Sequence, residues 1–337
     1  MFANISSGGS FHRKSLCMAS FGYQISQEQF SPRHLIDLAK QAEKAGFDEM
    51  ASSDHLFPWS NAQGHSGFTW SWLGAALEAT NLPCGVVNCP YERYHPVIIA
   101  QAVATLCQMY PGRFWPCFGS GEFLNEHITG NHWPEKDARN RKLAEAVSIM
   151  KRLWAGERFT HRGEFITAEE VRLFTLPEEP PVAIAAAITA RTAAEVASWA
   201  DGLYTVWKPH NKLDDVIDAF RRNGGEGKPI YLKVDLSCAP TQQEALDLAY
   251  AQWKTNVGTS AVHGELRTPE QFESASQFIG PREVEESIRI SADPDEHVEL
   301  LRKDLSLGFD KIILHNVGLN QEYFFEFYGK QVLPKLR

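Results

Sequence analysis

A polar pair at the end of a mostly apolar stretch is the first place where this sequence could do chemistry. Asp54 and His55 follow the small residues 50–53 and precede an aromatic loop that carries Trp59. A histidine has an ordinary pKa of about 6.5, so His55 can take up a proton near neutral pH. The stretch would equally suit a plain strand end, with Asp54 capping the next helix and His55 at the surface. Residues further along the chain are needed to decide between a catalytic pair and a plain strand end.

The elements that would position this pair alternate regularly between strand and helix. Each predicted strand is followed by a segment with helical periodicity, and no break in composition divides the chain. This alternation predicts an α/β fold, a single (β/α)8 TIM barrel over residues 20–337. An open doubly wound sheet would be expected to carry a Gly-rich turn after its first strand, and no GxGxxG follows there. The predicted strands are 21–26, 50–53, 84–89, 113–119, 182–187, 202–207, 230–236 and 311–314.

Three segments fall outside the regular alternation. Residues 1–19 have no apolar core of a secretory signal and are predicted to form a flexible extension. Insertions are predicted near 157–180 and 256–280, and a helix is predicted over 281–290 after the second of them.

Barrels of this kind carry their reactive side chains directly after the strands, at one rim. An imidazole with carboxylates at that rim is what general acid–base catalysis requires. No HxH pair occurs, so a metal-dependent barrel hydrolase is disfavoured and no metal site is predicted. Cys89 is a weak candidate nucleophile, because a buried small thiol is the commoner case. The predicted rim residues are Gln24, Glu28, Asp54, His55, Trp59, Asn88, Cys89, Glu122, Asn125, His315 and Asn316.

Composition excludes several classes of partner. Acidic residues outnumber basic ones, 42 to 33, with a formal charge of −9 and no basic run, which disfavours nucleic-acid and anionic-membrane partners. No apolar stretch reaches the length of a membrane span. Six scattered cysteines without a CxxC pair indicate reduced thiols and a cytoplasmic location.

Several motifs together resemble the luciferase-like flavin-dependent oxidoreductases, in particular the branch around coenzyme F420-dependent glucose-6-phosphate dehydrogenase. The likeness covers the chain from about residue 20 to 337. The motifs are 22–32, Ser53-Asp54-His55 with Pro58-Trp59, Arg93-Tyr94-His95-Pro96, Gly119-Ser120-Gly121-Glu122 with Leu124-Asn125-Glu126, and Ala292-Asp293-Pro294-Asp295-Glu296.

This resemblance implies FMN or coenzyme F420 as the cofactor, its ring lying over the third strand across a non-proline cis peptide at Val86-Val87. It also implies a homodimer. The catalytic roles that it implies are His55 as the base for a hydroxyl proton, Trp59 as the group that stabilises the intermediate, and Glu28 and Glu122 acting on substrate and proton transfer. The implied cofactor contacts are Asp54, Val86, Val87, Cys89 and Asn125, with Ala186 and Ala187 where the family has a glycine-rich turn for the cofactor phosphate.

The sequence therefore predicts an enzyme that transfers a hydride between a flavin-type cofactor and a small alcohol or sugar. A reduced-FMN monooxygenase that uses oxygen is the alternative, and a metal-dependent hydrolase or a non-catalytic flavin carrier are more distant ones. The resemblance also implies an arginine and a lysine that bind a sugar phosphate, but Ser287 and the segment 262–264 stand in their places. Lys208 is expected to be a solvated loop lysine. A sugar phosphate is therefore not the predicted substrate.

Overall fold

The computed structural model describes residues 19–209, 212–258 and 260–337. The predicted extension therefore lies, up to residue 18, outside the described residues. The strands are β1 Ser20–Ile25, β2 Glu49–Ser53, β3 Cys84–Asn88, β4 Phe114–Phe118, β5 Phe159–Arg162, β6 Thr167–Val171, β7 Ile184–Ala186, β8 Gly202–Val206, β9 Ile230–Ser237, β10 Arg289–Ile290 and β11 Lys311–Asn316.

Eight of these strands close into one parallel barrel. The order is β1-β2-β3-β4-β7-β8-β9-β11, and β11 pairs back with β1. Strands β5 and β6 form a separate antiparallel hairpin. The predicted (β/α)8 barrel is confirmed.

The helices lie between consecutive strands and cover the outside of the barrel. They are α1 Pro32–Ala45, α2 Thr69–Ala79, α3 Pro96–Met109, α4 Phe123–Glu126, α5 Lys136–Trp154, α6 Ala190–Val196, α7 Leu213–Phe220, α8 Gln242–Trp253, α9 Ser260–His263, α10 Pro269–Ala275, α11 Pro281–Glu285, α12 Pro294–Ser306 and α13 Gln321–Phe327. Among the described residues, no helix is both long and apolar enough to cross a membrane.

The predicted helix over 281–290 is wrong in its second half. Helix α11 ends at Glu285, and the strand β10 follows, pairing in parallel with the end of β9. The Arg289 guanidinium binds both carboxylate oxygens of Asp304, at 2.6 and 2.8 Å, and lies over the Trp207 ring at 4.6 Å. These contacts are distant in sequence, so the local helical pattern could not show them.

Alternate residues of the strands fill the inside of the barrel and close it from below. Gly85 leaves room for the Trp115 ring to cross the interior, since a Cβ at position 85 would lie only 2.2 Å from that ring. Below it, Glu49 accepts hydrogen bonds from Trp115 Nε1 at 3.0 Å and Lys311 Nζ at 2.7 Å. The interior is thus a packed core. One cluster contains Trp115, Ala51, Cys117, Ile184, Tyr204, Tyr231 and Ile313, and Val87 and Ala186 pack against it.

The peptide bond between Val86 and Val87 is trans, which corrects the expected cis bond. Strand β3 pairs in unbroken register on both sides through these residues, Val86 opposite Ser52 and Pro116, and Val87 opposite Ser53 and Cys117. A regular ladder accommodates the trans bond that the backbone prefers by about 3 kcal/mol.

Candidate active site

Three titratable side chains meet at the carboxyl end of the barrel. His55 Nδ1 lies 2.7 Å from Glu28 Oε1, and His55 Nε2 lies 3.7 Å from Glu122 Oε2. The imidazole is therefore held between two carboxylates that come from different loops. The sequence predicted all three residues for this rim.

Each of the three is held by its own loop. In the loop after β1, Ser26 Oγ donates a hydrogen bond to Glu28 Oε2 at 2.8 Å. After β2, Ser66 Oγ donates to the His55 carbonyl oxygen at 2.8 Å. Glu122 follows Gly121, which has φ +77° and approaches so closely that a Cβ would lie 2.9 Å from Cys89 Sγ. Glycine at this position lets the chain turn toward the rim without strain.

The charges of this trio depend on one another. Burial alone would raise the pKa of Glu28, but the adjacent His55 lowers it to about 2. Burial alone would lower the pKa of His55, and the carboxylates of Glu28 and Glu122 outweigh that effect and raise it. Desolvation of its buried Oε2, together with the like charge of Glu28, raises the pKa of Glu122, although 41% of this side chain is exposed. Of the two carboxyl groups, Glu122 therefore holds a proton more readily, as an acid–base partner near neutrality must.

Asp54 ties the end of β2 to the next two loops. Its Oδ2 accepts hydrogen bonds from Asn88 Nδ2 at 2.7 Å, Trp70 Nε1 at 3.2 Å and Arg93 at 3.2 Å. It does not cap helix α2. With these donors in place, Asp54 fixes the backbone direction from which His55 leaves the strand.

The other predicted cofactor residues are distributed over two layers. The side chains of Val87 and Ala186 face the barrel interior at the top of its core, whereas those of Val86 and Ala187 face the helix layer. A cofactor above the core would meet the first pair through their side chains and the second pair only through backbone atoms.

Asn125 and Cys89, two further predicted cofactor contacts, have different surroundings. Asn125 Oδ1 accepts hydrogen bonds from the backbone N–H groups of Leu56 at 2.8 Å and Phe57 at 3.3 Å, so it supports the loop that carries His55. Burial raises the pKa of the Cys89 thiol well above its ordinary value, and the neutral thiol is a poor nucleophile.

The aromatic residues after β2 differ in burial and in the residues that they contact. Trp59 packs edge-on against His55, with ring centroids 5.3 Å apart, and against Phe272 at 5.2 Å. Trp72 is buried, and Phe68 is exposed beside Tyr94. Trp59 is thus the member of this group that borders the imidazole.

Strand β9 contributes two charged residues that the sequence prediction missed. Lys233 Nζ lies 2.5 Å from Asp235 Oδ1, and Asp235 Oδ1 lies 2.8 Å from His315 Nδ1. A signal existed: both charges alternate with Leu232 and Val234 in an otherwise apolar strand, and such a period of two puts them inside a barrel.

Lys208, after β8, is not the solvated loop lysine that was expected. Burial lowers its pKa, and the charges of Asp235 and Lys233 are near enough to affect it. It therefore lies with His55 and Asp235 at the carboxyl end of the barrel, which we call the mouth. Among the described residues it forms no ion pair within 4 Å.

A flat flavin-type ring fits this mouth. The side chains of Val87 and Ala186 form an apolar floor, while Asn88 Oδ1 and Gln24 Oε1 are buried acceptors without a hydrogen-bond partner in the described part of the chain. Apolar surface with a few unpaired polar atoms is typical of cofactor sites. Residues 19–209, 212–258 and 260–337 contain no group of three or more His, Cys, Asp or Glu side chains that could hold a metal ion.

Comparison with known proteins shows similarity along almost the whole chain. The model of the family described as luciferase-like monooxygenase matches residues 12–311. The F420-dependent glucose-6-phosphate dehydrogenase of Microbacterium testaceum (strain StLB037) is 35% identical over 329 residues, covering 94% of this chain and 97% of that protein. Its counterpart from Nakamurella multipartita is 36% identical over 330 residues, covering 94% and 96%.

Solved structures agree with this similarity. An F420-dependent secondary alcohol dehydrogenase, in complex with an F420-acetone adduct, superposes with a TM-score of 0.87 at 26% identity, covering 95% of this chain and 99% of that chain. The F420-dependent tetrahydromethanopterin reductase of Methanopyrus kandleri has a TM-score of 0.74 at 17% identity, which shows the shared fold.

Proposed function

Because the chain belongs to the luciferase-like monooxygenase family, we propose that it is an oxidoreductase that transfers a hydride between a flavin-type cofactor and a small hydroxyl-bearing molecule. The observation that carries this proposal is the position of His55 between Glu28 and Glu122. Oxidation of an alcohol removes a hydride and a proton, so it needs a base beside the hydride acceptor.

The roles of the side chains follow from the geometry around His55. Glu28 faces Nδ1 at 2.7 Å, which keeps the proton of the neutral imidazole on Nδ1 and leaves the Nε2 lone pair free for the hydroxyl proton. The same carboxylate then stabilises the imidazolium that forms. Glu122 Oε2, 3.7 Å from Nε2, is near enough to pass a proton to or from the imidazole through a small shift or one water. A bound flavin-type ring supplies the hydride acceptor.

Trp59 restricts where the hydroxyl can sit. Its ring meets the His55 ring edge-on and is held from behind by Phe272. We infer that it shields the hydroxyl-bearing carbon from water and offers its face to the reacting carbon, which acquires a partial positive charge as the hydride leaves.

We propose coenzyme F420 as the cofactor, since both curated relatives and the structural neighbour at 26% identity carry that cofactor in their names. The ring would rest on Val87 and Ala186, with Asp54, Cys89 and Asn125 supporting the surrounding loops and Val86 and Ala187 offering backbone atoms. FMN is the second candidate, because Ala185-Ala186-Ala187 stands where the resemblance leads us to expect glycines.

The test of this function is a direct comparison of two cofactors. Purified protein is titrated with F420 and with FMN by calorimetry, and each loaded form is mixed with secondary alcohols and free sugars while the cofactor absorbance is followed. Tight binding of F420 and its reduction by an alcohol are expected. Consumption of oxygen with reduced FMN, without alcohol oxidation, would support the monooxygenase instead.

We also propose a homodimer in a reducing, cytoplasmic compartment. The dimer is supported by the family likeness, and light scattering of the purified protein tests it. The compartment is supported by five free cysteines in the described residues: Cys84, Cys89, Cys107, Cys117 and Cys238.

A further inference from the structure

A second pair of carboxylate and imidazole lies at the same mouth of the barrel, beyond the trio around His55. Asp235 Oδ1 and His315 Nδ1 are 2.8 Å apart, and both side chains are about 97% buried, with 3% and 4% exposed. Asp235 belongs to the inward row of β9 and His315 to the inward row of β11, directly opposite each other in the parallel register. The Glu28 carboxylate is close enough to act on the pKa of His315.

The surroundings hold the His315 ring in one orientation. The Trp253 ring meets it edge-on with centroids 4.9 Å apart, and Lys233 Nζ binds the same Asp235 oxygen at 2.5 Å. Burial and the Lys233 charge lower the pKa of His315, whereas Lys233 and His315 outweigh burial and lower that of Asp235. His315 is therefore neutral and Asp235 ionised near pH 7.

The proton of this neutral imidazole sits on Nδ1, because Asp235 offers only acceptor oxygens there. Nε2 then presents a lone pair. It is buried and has no hydrogen-bond partner in the described part of the chain. A buried acceptor left unpaired is costly, so a group that enters the mouth with a hydrogen to donate gains a bond there. The nearby Lys233 charge disfavours a cationic donor and favours a hydroxyl.

We propose that His315 Nε2 accepts a hydrogen bond from a second hydroxyl of the substrate, distinct from the hydroxyl that His55 deprotonates. This rests on the proposed function and makes it more specific: the substrate carries at least two hydroxyl groups, as a diol or a free sugar does. His315 is a specificity-determining residue in this scheme, and Asp235 is a positioning residue that fixes its tautomer.

Two substitutions separate the roles of the two ring nitrogens. In His315→Asn, the short amide can still donate to Asp235 from near the place of Nδ1, but nothing reaches the place of Nε2. In His315→Gln, the longer side chain can bring an oxygen near the place of Nε2. The Asn variant should therefore lose the second hydroxyl contact while keeping Asp235 paired, and the Gln variant should recover part of it.

The first measurement compares 2,3-butanediol with 2-butanol, which differ by one hydroxyl, as substrates of the cofactor-loaded enzyme. The wild type should favour the diol in kcat/KM by about tenfold, the usual effect of one hydrogen bond between neutral groups. His315→Asn should bring the ratio near one and His315→Gln should restore part of it. An unchanged ratio in His315→Asn, or no preference in the wild type, would overturn the proposal.

The second measurement does not depend on turnover. Protein labelled with 15N-histidine is titrated with 2,3-butanediol, and the His315 Nε2 resonance is assigned by its loss in His315→Asn. A shift of this resonance, with that of the exposed His65 unchanged, is expected. Its absence at saturating diol overturns the inference. Failure to oxidise any alcohol, with the shift present, would instead count against the proposed function alone.

Discussion

Replacing His55 with asparagine separates catalysis from stability at this site. Asparagine cannot accept the hydroxyl proton, and loss of a general base typically slows a reaction about 10² to 10⁴-fold, or about 3–5 kcal/mol in the barrier. Cofactor affinity should stay within a few fold, because the floor of the mouth is formed by Val87 and Ala186. We therefore expect kcat to fall by at least about a hundredfold at nearly unchanged cofactor binding.

The same change removes the cation opposite the buried Glu28 carboxylate, and the asparagine amide can replace only the hydrogen bond from the place of Nδ1. The pKa of Glu28 is lowered from its ordinary 4.5 to about 2, which corresponds to about 3 kcal/mol in favour of the ionised form. His55→Asn should therefore lower the free energy of unfolding by up to about 3 kcal/mol. The double variant with His55→Asn and Glu28→Gln should recover part of this lost stability, since it removes the unpaired charge. It should not recover the lost kcat.

The pH at which stability is measured matters. The pKa of Glu28 is lower in the folded than in the unfolded protein, so its contribution is present above about 4.5 and is lost as the pH falls toward about 2. The pKa of His55 is raised on folding, so its contribution is present below its ordinary 6.5 and is lost as the pH rises through the folded value. At pH 6 both partners are charged in the wild type, so urea unfolding at this pH measures what each variant loses.

The assay pairs this unfolding curve with cofactor reduction by the best alcohol at saturating cofactor. His65→Asn is the matched control, the same substitution at an exposed histidine in the same loop, and should change neither quantity. Near wild-type kcat in His55→Asn would refute its role as the base. Wild-type stability in that variant would refute the ion pair.

Three further predictions concern charge at the mouth. Glu28→Gln should move the acidic limb of the pH profile of kcat/KM for alcohol oxidation to lower pH, because the carboxylate raises the pKa of His55, whose neutral form is the base. Glu122→Gln should alter the same profile, since burial gives this carboxyl a raised pKa beside His55; an unchanged profile would contradict its part in proton transfer. Glucose 6-phosphate should not bind at micromolar concentration in calorimetry, and micromolar binding that Lys208→Ala abolishes would show the opposite.

The barrel and the trio around His55 could be predicted because their signals are local. A buried parallel strand is a short apolar run, and the polar residue that follows it must lie at the rim. The predicted ends of the strands were less accurate where pairing with a neighbouring strand decides how far a strand extends. Strand β11 continues to Asn316, beyond the predicted Leu314, because β9 is long enough to pair with it as far as Leu236.

The features that were missed depend on contacts between distant residues. Lys233 and Asp235 lie within a strand rather than after it, so a search of strand ends passed over them. The strand β10 pairs with β9, and its Arg289 pairs with Asp304, so both contacts lie outside the local sequence pattern. The trans bond before Val87 contradicts an expectation that came from resemblance, and nothing in the local sequence bears on it.

The charges at the mouth also bear on what can enter it. Glu28 faces His55 at 2.7 Å, and Asp235 is held by Lys233 at 2.5 Å and by His315. Lys208 and Lys136 then remain as cations near this mouth that form no ion pair in the described ranges; Lys136 donates to Ser120 Oγ and is near enough to affect the pKa of Glu122. A phosphate dianion taken out of water needs a bidentate arginine or several donors, and two lysines that face the carboxylates of Asp235 and Glu122 do not offset the loss of its hydration. A neutral molecule with several hydroxyl groups carries no such cost, and it can donate to both His55 Nε2 and His315 Nε2.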